Sequence, residues 1–331
     1  MDSFDVLQGG TGNYMLNKAD SNKPIVHLGS SISELNSIKD TESSLEFGSC
    51  VKLVRMEEFF RTYTSSLSTK SSSYRLGKVF SKALSTLASV QIRNTASVGG
   101  SIMWQHPSSD LMTLYILLGC QIRVQQPNGR NIDILINDSF ISHQSDEIRK
   151  SNSVITSLIV PKLSDTQYIG FYKKSKRKEF ALSVVNMGIL LNYERIQNKE
   201  EPRYGNVRIV IGGTDNPGHL WNSGHHTFAK LTMEAIEGKK EVSRSALVDA
   251  MHKDLPTNAD YKQLGTYRQG LAISFIEQFL ANIHHSVGMA EMIEIQLKRE
   301  STQSYQKVNK SQPDYDEVER PIAHICSAEQ G

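Results

Sequence analysis

A glycine-rich segment in the first third of the chain constrains the fold most. Residues 91–102 read Gln-Ile-Arg-Asn-Thr-Ala-Ser-Val-Gly-Gly-Ser-Ile, and Asp110 follows nine residues after Ser101. Because glycine has no Cβ, a diglycine between Ser97 and Ser101 lets backbone N–H groups approach a ligand closely. A carboxylate downstream can accept hydrogen bonds from a sugar or a ribityl chain. The segment is therefore a candidate ligand-binding loop.

A second glycine-rich loop lies near the start of the chain. Residues 6–13 read Val-Leu-Gln-Gly-Gly-Thr-Gly-Asn. The loop is not a dinucleotide-binding GxGxxG motif, since Met15 occupies the last position, and no Gly-Lys-Ser/Thr follows it. Taken alone, it is typical of an ordinary turn. Two such loops in one small domain favour a large phosphate-containing cofactor that is held from two sides.

Composition limits the classes of function. A chain of 331 residues has room for two domains. Its 37 basic and 35 acidic side chains nearly balance, so the net charge of +2 gives no overall attraction to nucleic acid or to an anionic membrane. Three scattered cysteines without metal-ligand spacing argue against a metal site within the chain. The longest apolar run, Leu111 to Cys120, is shorter than the about 20 residues that cross a bilayer. We expect a soluble, cytoplasmic protein.

The pattern of apolar residues predicts mixed helices and strands. Helices are expected over 73–87, from Asp110 onward, over 227–236 with Phe228, Leu231 and Ala235 on one face, and around Phe275. Strands are expected in a hairpin around Pro127-Asn128-Gly129, before Pro161, and at 168–172 and 207–211. The two adjacent pairs, His225-His226 and His284-His285, are expected at the surface or at helix ends. Residues 296–318 are polar and charged, which indicates a linker.

Both glycine loops, together with 168–190 and more weakly 205–285, resemble a known family. They are similar to the FAD-binding middle domain of the molybdenum hydroxylases, the aldehyde oxidase and xanthine dehydrogenase group. Arg320-Pro321-Ile322-Ala323-His324 resembles the start of the molybdenum-binding domain of these enzymes. The resemblance implies an α+β fold. It comprises a two-subdomain FAD-binding (PCMH-type) domain over 1–165 and a smaller α+β domain of the CO dehydrogenase flavoprotein C-terminal type over 166–290. A linker with the truncated start of the molybdenum-binding domain then occupies 291–331.

The resemblance also implies which residues hold FAD. The implied cofactor-binding residues are Val6, Leu7, Gln8, Gly9, Gly10, Thr11, Gly12, Asn13, Leu87, Ser97, Gly100, Ser101, Asp110, Ile155 and Lys173. A cation at Lys173 would stabilise electron density that arrives at the flavin on reduction. The alternative is a solvated lysine in a basic loop. No catalytic and no metal-binding residue is implied within this chain.

The family further implies the function. The segment would be part of an oxidoreductase, receiving electrons from iron–sulfur clusters and passing them through FAD to O2 or NAD. The clusters and the molybdenum cofactor would lie on domains outside this chain, and the complete enzyme would be a homodimer. The isolated chain is then not expected to oxidise aldehydes. The alternative is a degenerate, non-catalytic remnant that serves as a binding or interaction module, because Gly10, Leu87 and Ser101 depart from the family pattern.

The loop after Lys173 bears on the electron acceptor. Dehydrogenase members of the family usually place acidic residues at its end, where this chain has Phe180-Ala181 beside a basic run. An apolar side chain cannot accept a hydrogen bond from a nicotinamide or a ribose. Oxygen needs only access to the reduced ring. The sequence therefore favours O2 over NAD.

Overall fold

The structure of the chain is a computed structural model. The residues whose structure is described are 5–7, 9–11, 25–29, 31–137, 139–177, 181–194, 201–213, 226–255 and 265–287. Residues 1–280 form one compact unit and residues 281–331 a second, of which only 281–287 are described. The predicted domain boundaries after residues 165 and 290 stay predictions. Within the described residues no helix is long and apolar enough to span a membrane.

Helices and strands alternate irregularly along the chain. The strands are β1 (Asp5–Leu7), β2 (Ile25–His27), β3 (Ile38–Asp40), β4 (Ser44–Gly48), β5 (Gln121–Gln125), β6 (Asn131–Leu135), β7 (Val154–Pro161), β8 (Gln167–Ser175), β9 (Ser183–Glu194), β10 (Arg203–Gly212) and β11 (Thr227–Phe228). The α-helices are α1 (Leu53–Ser65), α2 (Ser72–Ser85), α3 (Val90–Thr95), α4 (Val98–Trp104), α5 (Asp110–Leu118), α6 (Ser145–Lys150), α7 (Lys230–Ile236), α8 (Arg244–Asp254) and α9 (Gly265–Val287). A short 3-10 helix spans Glu34–Asn36, and a π-helical turn spans Phe140–Gln144.

The strands of the described residues form three sheets. One has five antiparallel strands in the order β3-β4-β7-β5-β6, and another has four antiparallel strands in the order β11-β10-β9-β8. The short strands β1 and β2 pair in parallel. Helices combined with two antiparallel sheets define an α+β fold, as the family resemblance implies.

Helix α5 is the central helix of the core. All nine of its residues are buried, because Leu, Met, Ile and Tyr surround its whole circumference. It packs against β9 and β10, so the first half of the chain meets the four-stranded sheet here. The guanidinium of Arg208 on β10 donates to the carbonyl of Ile116 at 2.9 Å near the end of the helix. The helix is therefore held against the sheet at its C-terminal end.

Most of the predicted elements are present. The hairpin β5–β6 turns at residues 127–129, and the predicted helices at 73–87 and from Asp110 correspond to α2 and α5. The prediction for 227–236 is partly wrong, because Thr227–Phe228 forms a strand before α7 begins. Leu231 is 40% exposed, whereas Thr232 and Ile236 are the buried residues of the helix. The predicted linker at 296–318 lies outside the described residues.

Candidate functional site

The two glycine-rich loops meet in space. Gly9 and Gly10 have φ of +71° and +68°, values that residues with a side chain rarely adopt. A Cβ on Gly9 would collide with the carbonyl oxygen of Thr95, which lies in the other glycine-rich segment, residues 91–102. Val6 and Leu7 lie on β1, while Gln8, Gly12 and Asn13 lie outside the described residues. The close approach at Gly9 explains why this loop needs glycine.

The backbone N–H groups at the N-terminus of helix α4 form hydrogen bonds within the chain. Its first four N–H groups all have protein acceptors: Val98 N on Val51 O at 2.9 Å, Gly99 N on Ser49 O at 2.8 Å, Gly100 N on Ser97 Oγ at 3.1 Å and Ser101 N on Ser97 O at 2.9 Å. These N–H groups therefore donate within the chain, and a contact of Ser97, Gly100 or Ser101 with a cofactor stays a prediction. Ser97 serves as the N-cap of the helix.

The two glycines of this segment differ in their surroundings. A Cβ on Gly99 would lie 3.0 Å from Ser49 Cβ and 3.1 Å from Ser49 O, which is tight contact. Gly100 is exposed, and Ser101 is half-buried with its hydroxyl donating to Val98 O at 2.7 Å. Gly99 is thus needed for packing, whereas Gly100 and Ser101 present surface at the loop.

Ile155 lies in the core beneath this loop. It is only 6% exposed and belongs to the main hydrophobic cluster. The next residue, Thr156, accepts a hydrogen bond from Ser49 N at 2.9 Å, and Ser49 in turn holds Gly99. Strand β7 therefore supports the loop from below, and a direct cofactor contact by Ile155 stays a prediction.

A buried ion pair lies at the start of helix α5. Asp110 is 5% exposed, and its Oδ2 lies 2.5 Å from the ammonium of Lys173 on β8, whose side chain is 9% exposed. The same ammonium donates to the carbonyl of Thr86 at 2.8 Å. The interpretation of Lys173 as a solvated lysine is therefore wrong. The structure brings together Asp110, Lys173 and the segment that carries Leu87.

Helix ends support both charges of the pair. Thr86 is the C-cap of α2, so Lys173 lies at the negative end of that helix. Asp110 is in the first turn of α5, capped by Ser109, and lies at the positive end. Each such placement stabilises the charge by about 0.3–1 kcal/mol, and by up to about 2 kcal/mol when partly buried. The fold thus places each charge where the backbone favours it.

Two further side chains bind Asp110, and both were missed by the sequence analysis. The Ser183 hydroxyl donates to Oδ1 at 2.6 Å, and the amide of Asn186 donates to the same oxygen at 3.0 Å. Both residues lie on β9. A buried asparagine in the apolar run 184–191 is the signal that could have revealed the site, because polar groups inside a core need partners.

Burial and hydrogen bonding act in opposite directions on Asp110. Burial raises the pKa of its carboxyl, whereas Lys173, Ser183 and Asn186 all lower that pKa by stabilising the carboxylate. The carboxylate form is the one that the surroundings are built to bind, since all three neighbours donate hydrogen bonds to it. We therefore treat the pair as a carboxylate and an ammonium.

Leu87 is held in place through its backbone. Its carbonyl accepts from Arg93 Nη1 at 2.7 Å, and Arg93 Nε pairs with Glu57 at 2.8 Å. The leucine side chain is half-buried and packs against the core. The turn after α2 is therefore fixed on one side by Arg93 and on the other by Lys173.

Two histidines pack close to the start of α5. His106 is buried, accepts from Ser108 N at 3.0 Å and stacks on Trp104 with ring centroids 4.8 Å apart. Burial lowers the pKa of its imidazole. The Nε2 of His226 lies 3.3 Å from Ser109 O, and this residue is 3% exposed. His284 is also buried. The prediction of a surface or helix-end position is wrong for His226, whereas His284 lies in the last turn of α9.

Metal ligands do not cluster in the part of the chain that the structure describes. Cys50 and Cys120 are both buried and unpaired, and no group of three or more His, Cys, Asp or Glu side chains among the described residues could hold an ion.

Comparison with known proteins assigns the family. A model of the FAD-binding domain in molybdopterin dehydrogenases matches residues 2–163. Residues 2–163 belong to this family. The matched FAD-binding domain contains both glycine loops, Leu87, Asp110 and Ile155, whereas Lys173 and β9 lie beyond it.

Curated relatives extend the likeness over most of the chain. Aldehyde oxidase 3 from Rattus norvegicus is 25% identical over 92% of this chain and 23% of its own length. Xanthine dehydrogenase from Oryza sativa subsp. japonica is 25% identical over 78% of this chain and 18% of its own length. These relatives are oxidoreductases, and the chain spans about a quarter of their length or less.

Solved structures share the fold. Carbon monoxide dehydrogenase from Hydrogenophaga pseudoflava, in a form that lacks the Mo-pyranopterin moiety, superposes with a TM-score of 0.62 at 17% identity. The match covers 83% of this chain and 88% of that one. Quinoline 2-oxidoreductase from Pseudomonas putida 86 matches with a TM-score of 0.62 at 16% identity over the same shares. The α+β fold of this chain is thus shared with chains of these two enzymes.

Proposed function

We propose that this chain is the FAD-binding electron-transfer part of an aldehyde oxidase- or xanthine dehydrogenase-like molybdoflavoprotein. The ion pair of Asp110 and Lys173 carries the proposal. It is buried, lies beside the Leu87 segment, and belongs to a chain whose first half is an FAD-binding domain. Iron–sulfur and molybdenum-binding domains would be its partners in the complete enzyme, which we expect to be a homodimer.

The donors and acceptors of the pair fit a flavin. Lys173 Nζ has three hydrogens and uses two, on Asp110 and Thr86, so one is available within the described structure. Asp110 Oδ2 accepts from Lys173 and keeps a second lone pair. A flavin offers carbonyl acceptors on its pyrimidine ring and hydroxyls on its ribityl chain. The close approach of Gly9 to the carbonyl of Thr95 brings the two glycine-rich loops together.

FAD, when bound, supplies two-electron acceptance and onward transfer. Lys173 would stabilise negative charge on the reduced ring by its fixed positive charge, in a site of low dielectric. Asp110 would orient the Lys173 ammonium and accept a hydrogen bond from a hydroxyl of the ribityl chain. Leu87 would cover the ring with apolar contact, although a leucine gives no ring stacking. The two glycine loops would surround the pyrophosphate, with the exposed Gly100 and the half-buried Ser101 on the side that faces it.

The visible absorption spectrum of the purified chain tests the proposal. The extracted flavin, separated by chromatography, is expected to be FAD rather than FMN, because two separated loops suit a pyrophosphate-bridged molecule. If the protein is colourless and does not take up added FAD, the proposed function is wrong.

The alternative is a non-catalytic remnant, and one observation favours it. The N–H groups that open helix α4 all have acceptors inside the chain, so this helix start needs no ligand to satisfy it. A folded protein that fails to bind FAD at any concentration up to the millimolar range would support this alternative.

The electron acceptor is proposed to be O2. The basic loop beyond Lys173 supports this, and Lys176 and Arg177 are exposed there. Residues 178–180, including Phe180, lie outside the described residues. Photoreduced protein mixed with air-saturated buffer should reoxidise faster than protein mixed anaerobically with NAD. Faster reoxidation by NAD would assign the chain to the dehydrogenase type.

A further inference from the structure

Two polar side chains of β9 converge on one oxygen of Asp110. Ser183 Oγ lies 2.6 Å from Oδ1 and Asn186 Nδ2 lies 3.0 Å from it, while Lys173 binds the other oxygen, Oδ2. Because each oxygen has its own donors, the plane of the carboxylate is fixed. The remaining capacity for a ligand therefore lies at Oδ2 and at the Lys173 ammonium.

Asn186 is itself held rigidly. It is fully buried, its Oδ1 accepts from Thr113 Oγ1 at 2.5 Å, and its Nδ2 also reaches Ser108 O at 3.3 Å. A Cβ on Gly212 would lie 2.5 Å from Asn186 Oδ1, so the amide fills the space that the missing side chain on the neighbouring strand β10 leaves. Such a preorganised group costs little entropy when it orients a carboxylate.

We infer that Ser183 and Asn186 are positioning residues that hold the Asp110 carboxylate, ionised and in one orientation, for the FAD site. The inference rests on the proposed function and deepens it, because the two residues lie outside the segment 2–163 that matches the family model. The site of the first half of the chain is then completed by three side chains from β8 and β9.

Several polar and titratable side chains lie near the start of α5, and they contact different atoms there. Lys173 faces Asp110 from β8, and Ser183 and Asn186 face it from β9. His106 binds Ser108 N, and His226 lies against Ser109 O. Neither contact involves the carboxylate. A titration that belongs to Asp110 can therefore be told apart, because it responds to changes at Ser183.

The test is the pH dependence of FAD affinity in the full chain, measured by flavin fluorescence. In the wild type, affinity is lost at low pH as Asp110 takes up a proton. Ser183→Ala removes a hydrogen bond to a charged acceptor, whose free energy corresponds to about one pKa unit. The acid limb of the curve, meaning the pH range in which FAD affinity is lost as the pH falls, should therefore move upward by up to about one pH unit. Asn186→Leu should move the limb in the same direction, and Ser183→Thr should restore it.

Ser72→Ala is the matched control. Ser72 is also a buried serine whose hydroxyl donates to an aspartate, Asp165 Oδ1, at 2.9 Å, away from the site. It should leave the acid limb unchanged. If Ser183→Ala and Asn186→Leu lower only the melting temperature and leave the limb in place, the inference is overturned while the proposed function stands. If the wild type binds no FAD, both fail.

Discussion

The starts of helices α4 and α5 look alike in sequence and differ in what they do. Each helix is capped by a serine, Ser97 or Ser109, whose hydroxyl accepts from an N–H in the first turn. In α4, Gly99 packs against Ser49, and the first two N–H groups of the helix donate to the carbonyls of Val51 and Ser49. In α5 the first turn presents Asp110 to Lys173. A glycine-rich motif can therefore mark close packing, while the neighbouring carboxylate marks the polar site.

The largest expected effect comes from breaking the ion pair at α5. Lys173→Met leaves the buried Asp110 carboxylate without its cation and should lower the free energy of unfolding by about 3–5 kcal/mol. The double variant Asp110→Asn with Lys173→Met removes both charges and keeps acceptors for Ser183 and Asn186, so it should recover more than half of that loss. Urea denaturation measures both values. Equal losses in the single and double variants would show that the charges are not coupled.

The next effect separates the two glycines of α4. Gly99→Val places a branched side chain against Ser49 and should cost about 1–3 kcal/mol of stability through overpacking. Gly100→Val should change stability by no more than about 0.5 kcal/mol, because Gly100 is exposed, yet it should abolish flavin retention. Thermal melts and extracted flavin measure the two quantities. Full flavin occupancy in Gly100→Val would remove residues 97–101 from the site.

The two caps should contribute equally to stability. Ser97→Ala and Ser109→Ala each lose one hydrogen bond to a helix N–H, at 3.1 and 3.3 Å, and should each cost about 1 kcal/mol. The exposed Ser85→Ala, near the end of α2, is the control and should change stability by less than about 0.5 kcal/mol. A cap variant at Ser97 that is as stable as the control would mean that α4 is held by Ser49 and Val51 alone.

The smallest expected effect is a pH dependence that His106 gives to stability. Burial lowers the pKa of its imidazole below 6.5, so the unfolded chain binds more protons than the folded one just below that pH. The contribution is fully present above about pH 6.5 and is lost as the pH falls, with a slope of at most about 1.4 kcal/mol per pH unit. His106→Asn keeps an acceptor for Ser108 N and should flatten this part of the curve. An unchanged slope would assign the dependence to other groups.

The sequence predicted the architecture better than the site. The hairpin at 122–134 and the helix from Asp110 follow from local periodicity and turn chemistry, which the sequence records directly. Segment 227–236 was misjudged because pairing of Thr227 and Phe228 with β10 overrides the helical pattern. Pairing between distant strands leaves little trace in a single sequence.

Asp110 and Lys173 were named from the family resemblance, but their partners were not. Ser183 and Asn186 come to Asp110 only because β9 packs on α5, a contact across more than 70 positions of the chain. The same distance explains why Lys173 was open to interpretation as a solvated lysine. A buried polar residue within an apolar strand, such as Asn186, is the local signal. It predicts that a hydrogen-bond partner exists but does not predict which residue that partner is.

The most direct measurement of the central claim is an FAD titration of the double variant Asp110→Asn with Lys173→Met, followed by flavin fluorescence after removal of any bound cofactor. Lys174→Met is the matched control, since the adjacent side chain on β8 faces the other side of the strand. If the ion pair forms the flavin site, the double variant folds but binds FAD at least about tenfold more weakly, as expected for the loss of charged hydrogen bonds. The control binds as the wild type does. A folded double variant with wild-type affinity for FAD would contradict the account.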